Sequence, residues 1–165
     1  MFEKVRAITI VRRMILDSET VVNEAKEEGF LISNYYANAE CAMLALAVVF
    51  SNIYTKKEKL GNAIVKEAIS GSWRQFFSEK HKQEYRDNIE KLSAQYTEII
   101  QFTFNKTDLN EVQKLNTAYC EICKIFANYL FAEHTTESED YFMLVLISVK
   151  EYVAAITGQK QEKQS

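Results

Sequence analysis

Apolar residues recur along this chain at intervals of three and four, the spacing that gathers them on one face of an α-helix. From Phe2 to about Glu28 the stripe is Ile8, Val11, Ile15, Val22 and Ala25, widened by Ile10, Met14 and Val21. Gly29 follows, where a left-handed C-terminal cap is expected. Asp17, Ser18 and Glu19 interrupt the stripe, so a break near Asp17 is one reading of this segment. From Ser33 to Tyr54 one face carries Tyr35, Ala39, Ala42, Leu46, Val49 and Ile53, and an adjacent face Tyr36, Met43, Ala47 and Phe50. A helix apolar around most of its circumference touches several neighbours at once, which makes this the expected central helix.

A shorter helix is expected from Lys56 to Ile69, with Leu60, Ile64, Val65 and Ala68 inward. Ser70-Gly71-Ser72 breaks the chain, and the next helix runs from Ser72 to Phe104 on Tyr85, Ile89, Leu92, Tyr96 and Ile99. The cleanest stripe is Val112, Leu115, Tyr119, Ile122, Phe126 and Tyr129, in a helix to about Glu133. A last helix uses Phe142, Val145, Val149, Tyr152 and Ile156 and stops at Gly158.

Polar residues supply the punctuation. Thr55 with Glu58 and Ser72 with Gln75 have capping-box form, and Asp108 with Glu111 and Thr136 with Glu139 resemble it. Proline is absent, where average usage would give roughly eight. Its ring and missing N–H stop helices, so its absence leaves long helices and short polar turns. The predicted fold is all-α: an antiparallel up-and-down bundle of five to six helices. One domain over residues 1–158 is expected, with 159–165 as a disordered polar tail. No internal repeat and no strand-like alternation compete with this reading.

Charge and composition narrow the class. The chain is 47% hydrophobic and 26% charged, the balance of a folded protein. Lys plus Arg number 20 against 23 Asp plus Glu, a net charge of −3 without the basic excess a general nucleic-acid binder needs. The longest apolar run, Cys41 to Phe50, is half of what a membrane span requires, and the N-terminus does not read as a signal peptide. An odd number of cysteines without secretory features points to a reducing compartment. A cytoplasmic protein without a membrane segment is expected.

Candidate chemistry is sparse. Cys120-Glu-Ile-Cys123 is a CxxC, yet no second pair exists, and His134 lies about 16 Å further along the same helix. The preferred reading is two small residues beside the stripe, and no metal is expected. Glu-x-x-His pairs, glycine-rich phosphate loops and a Gly-x-Ser-x-Gly elbow are all missing, which removes di-metal oxidases, nucleotide-binding folds of those types and serine hydrolases. No cofactor is expected.

One segment departs from plain bundle grammar. Arg74-Gln-Phe-Phe-Ser-Glu-Lys-His81 spaces a guanidinium and an imidazole by seven residues, nearly the same helical face. Such a pair suits RNA cleavage by the 2′-hydroxyl, with the histidine moving a proton and the arginine holding phosphate. This R-x6-H form is similar to the catalytic motif of HEPN domains, helical bundles of about this size. The run Asn34-Tyr-Tyr-Ala-Asn-Ala-Glu40 resembles that family's second helix. The family's motif lies near the start of its fourth helix with one short helix after it, whereas here residues 82–165 follow. The resemblance carries over Arg74 and His81 alone, and implies a metal-independent ribonuclease with RNA as partner. The plainer reading, preferred here, is a capped helix start with solvent-facing polar groups.

Trp73, Phe76 and Phe77 share a helical face beside that pair and are the expected partner-binding residues. Lys56, Lys57, Lys59 and Arg12-Arg13 read as solvated surface charge. Taken together, the sequence predicts a non-enzymatic bundle acting through a protein partner, of immunity, antitoxin, adaptor or inhibitor type. The HEPN-like ribonuclease or a degenerate relative is the alternative. Heptad-like stripes on the last two helices leave a homo-oligomer open, since a bundle core and an intermolecular seam share one pattern.

Overall fold

The computed structural model describes residues 2–30, 36–70, 78–130 and 135–158, with the backbone alone at 36 and 37. Six helices occupy them: α1 Phe2–Glu27, α2 Tyr36–Thr55, α3 Lys59–Ser70, α4 Glu79–Phe104, α5 Glu111–Tyr129 and α6 Thr136–Ile156. No strand occurs among the described residues.

Cross-helix contacts fix the directions. Lys59 Nζ lies 3.9 Å from Glu3 Oε2, so α3 begins where α1 begins. The Tyr141 hydroxyl donates to Glu24 at 2.9 Å and the Tyr152 hydroxyl to the Thr9 carbonyl at 3.5 Å, so α6 runs against α1. At the start of α4, the Tyr85 hydroxyl donates at 3.0 Å to Glu40 near the start of α2. Consecutive helices therefore alternate in direction, and α2, α4 and α6 all end at the same end of the bundle. This is the antiparallel up-and-down bundle that the periodicity predicts.

The central helix is α2, which packs on every other helix. Each residue from Cys41 to Phe50 is buried. Asn38–Thr55 is long and apolar enough to cross a membrane, but 72% of that stretch is buried inside the bundle. Its apolar character is used by the core.

On α1 the buried face is Ala7, Ile10, Val11, Met14, Ser18, Val21, Val22 and Ala25, one position round from the expected stripe; Ile8 and Ile15 are half-buried. The helix is continuous through Asp17. Ser18 sits fully buried in the core row because its hydroxyl donates to the Ile15 carbonyl at 2.7 Å, and Asp17 pairs with Arg13 at 3.0 Å. Satisfied in place, neither residue breaks the helix. Gly29 does end it, at φ +81°, with Phe30 N–H donating to Ala25 O and Gly29 N–H to Lys26 O, the Schellman pattern.

The caps differ more. Thr55 closes α2 rather than opening α3: its hydroxyl donates back to the Ser51 carbonyl at 2.7 Å, and α3 begins at Lys59 after Lys56 at φ +55°. The apolar face of α2 runs on through Ile53 and Tyr54, which holds Thr55 in the helix. The α5 cap is Asn110 with Gln113 rather than Asp108 with Glu111, and the α6 cap is Thr135 with Ser138 rather than Thr136 with Glu139. Both are full capping boxes, each starting later or earlier than expected by a residue or two. At α6, burying the N3 side chain favours the short Ser138, which is fully enclosed. The expected box at Ser72–Gln75 lies outside the described residues; the described α4 is capped by Ser78, which accepts from His81 N–H at 3.2 Å.

Candidate functional site

The expected site divides. Trp73, Arg74, Phe76 and Phe77 lie outside the described residues. His81 is exposed in the first turn of α4. The CxxC lies within α5, with Cys120 exposed and Cys123 buried. Burial pushes the Cys123 thiol up to about 12, and nearby negative groups at Cys120 and Glu139 add to this. Such a thiol stays protonated at neutral pH, unlike the thiolate of a reactive cysteine. Among the described residues, no three His, Cys, Asp or Glu side chains are placed to hold a metal ion.

A feature the sequence did not single out is a groove at the opposite end, where α2 and α4 finish. Phe50 and Tyr54, one turn apart near the end of α2, stack with ring centres 6.4 Å apart. Tyr119 of α5 meets Phe50 edge-on, also at 6.4 Å. Ile53, Ile100, Phe104 and Leu115 complete the apolar lining of a groove of about 360 Å³. That volume falls at the lower end for ligand sites. A single charged side chain enters the lining, Lys150 of α6, whose ammonium stands 5.4 Å above the centre of the Tyr119 ring. The ring face is its electrostatic partner there.

The groove continues across the α2–α4 contact. Ile53 and Ile100 also line a second hollow of about 380 Å³, whose rim carries Lys56, Lys57 and Glu58 from the turn after α2, together with Thr97 and Gln101 of α4. Asn52 borders it as well, and its Oδ1 is buried without a hydrogen-bond partner among the described residues. One half of the trough is therefore aromatic and aliphatic, the other polar and basic. Ile53, between them, is 44% exposed.

The chemistry this arrangement offers is binding. Burial, reinforced by Tyr119 and Glu151, pushes the Tyr54 phenol up to about 12, so it remains neutral at neutral pH. The lining contains no histidine, cysteine or serine. About 20 residues of α4 separate His81 from the groove, roughly 30 Å of helix. In a third hollow, between α1 and α6, Arg13 pairs with Asp17 and Tyr141 donates to Glu24.

The signal for the groove was present in the sequence but shared with the core. Phe50, Ile53, Leu115 and Tyr119 all lie on expected inward stripes, and Lys150 directly follows Val149 of another. Compared with known proteins, the chain matches no family model, no curated protein and no solved structure.

Proposed function

We propose that this protein is a non-enzymatic interaction module, of immunity, antitoxin, adaptor or inhibitor type, and that the trough at the end of α2 and α4 is its working surface. The observation that carries this reading is an apolar groove on the outside of a core that is already complete. Phe50 and Tyr119 are 2% and 9% exposed, so they serve the core, while Ile53 at 44% faces outward. Large apolar side chains around a concave, half-open surface are the composition of a protein-binding patch. The reading places the protein in the cytoplasm, in keeping with three unbonded cysteines.

The test is a quantitative pull-down with the wild-type chain and an Ile53→Glu variant. The exposure of Ile53 makes that change tolerable to the fold, which a thermal melt by circular dichroism verifies. Proteins captured by the wild type and lost with the variant are expected. Capture that Ile53→Glu leaves unchanged would place the binding surface elsewhere and remove the groove from the function.

A further inference from the structure

Four lysines of this bundle are neutralised locally. Lys82 pairs with Glu79, Lys114 with Glu111 and Lys124 with Glu121, each three residues back, and Lys59 reaches Glu3. The lysines around the trough are not among these. Lys56, Lys57 and Lys150 form no ion pair with a described residue, although the chain as a whole carries a net charge of −3. Lys150 is half-buried, and its ammonium lies over the Tyr119 ring rather than beside a carboxylate. Glu58 is the one carboxylate on the lining of the two hollows. A cation at the edge of an apolar surface gains most from an anion that arrives together with the surface that excludes water.

We infer that the occupant of the trough is an amphipathic helix of a protein partner, with apolar residues seated between Ile53, Ile100 and Tyr119 and acidic residues flanking them, opposite Lys150 on one side and Lys56–Lys57 on the other. The inference rests on the interaction-module reading above and adds the chemistry of the partner. A helix lays anchors at i, i+3 or i+4, and i+7 into a groove of this kind. The apolar hollow of about 360 Å³ takes the anchors, and the basic hollow takes the flank. Rim lysines then act mainly on partner choice and association rate, because like charges are rejected and unlike charges steered. With a screening length of about 8 Å at physiological salt, the effect is expected to fade as salt is added.

The experiment is a display selection with helical peptides of fixed leucine and phenylalanine anchors, whose flanking positions are randomised among Asp, Glu, Lys, Arg, Ser and Gln. The wild-type chain is the bait, with Ile53→Glu and a Lys56→Glu/Lys57→Glu/Lys150→Glu variant as counter-baits. Expected are binders enriched in Asp and Glu at the flanks, lost on Ile53→Glu and weakened about tenfold or more by the triple charge reversal. A cooperative thermal melt of the triple variant, matching that of the wild type, guards against misfolding as the cause. Binders lost on Ile53→Glu but without acidic enrichment would overturn this inference and leave the interaction-module reading standing. Binders indifferent to Ile53→Glu would overturn both. Decanoate binding by calorimetry, lost on Lys150→Glu and accompanied by no groove-dependent peptide, would also overturn both, in favour of a lipid carboxylate.

Discussion

Gly61 of α3 lies close against Asn52 and Val48 of the central helix, and substituting it should reveal the packing by a change of sign. A methyl group at this position would collide with Asn52 Oδ1 and lie 3.2 Å from both Asn52 Cγ and Val48 Cγ1. Alanine in place of a helical glycine gains roughly 0.5–1 kcal/mol from reduced backbone freedom in the unfolded chain. Overpacking a close contact costs about 1–3 kcal/mol. Gly61→Ala should therefore destabilise the bundle by about 1 kcal/mol net, lowering the melting temperature by about 2–4 °C for a chain of this size. Asn52→Ala removes the principal obstacle together with a buried oxygen that has no partner. In that background only the Val48 contact remains tight, and Gly61→Ala should become stabilising by a few tenths to about 1 kcal/mol. The assay is urea unfolding of the four chains, followed by circular dichroism. A stabilising Gly61→Ala in the wild-type background, or single effects that add to within about 0.5 kcal/mol, would refute the contact.

Three further outcomes follow from the core. Tyr96 is fully buried with no hydrogen-bond partner for its hydroxyl among the described residues, so Tyr96→Phe should raise stability by about 1 kcal/mol in urea unfolding. Burial pushes the Cys41 and Cys123 thiols up from 9.0 to about 12. The folded state therefore holds those protons more tightly, and stability that is complete below about pH 9 should fall between pH 9 and 12, by up to about 1.4 kcal/mol per pH unit for each thiol. A Cys41→Ala/Cys123→Ala chain, measured over the same range, should lose that part of the decline. Phe126 and Val149 are 2% and 1% exposed, and a carboxylate at either place should abolish the cooperative melt, whereas retained helicity with loss of a dimer in sedimentation would make these stripes an interface.

Helices and their order were legible because burial in a bundle is periodic. The α4 residues Tyr85, Ile89, Leu92 and Tyr96, all expected inward, are buried. Edges were read less well, and for local reasons. Thr55 can cap a following helix or bond back to the helix it ends, and the Ser51 carbonyl lies in reach of the second choice. Thr135 and Thr136 offer adjacent boxes of similar form, and the one whose third residue can be buried prevails. Val112 continues the α5 stripe by spacing yet is 67% exposed, because it falls in the first turn of its helix, at the end of the bundle. Periodicity reports a face; it does not report whether a neighbour extends far enough to cover it.

The same gap explains why the trough was invisible while its residues were in plain view. Phe50, Ile53 and Leu115 satisfy the inward pattern as well as any core residue, and a hydrophobic stripe looks alike whether a neighbouring helix or a partner covers it. What separates the two cases is where α2 and α4 finish relative to α5 and α6, a property of four helices jointly. Lys150 marks the difference. On a stripe meant wholly for the core, a lysine beside Val149 would turn its ammonium outward to water; here the ammonium lies over Tyr119 at the rim of an apolar hollow. A cation held over an aromatic ring at the rim of an apolar hollow is a feature that core packing does not require and that the proposed acidic, amphipathic partner would use.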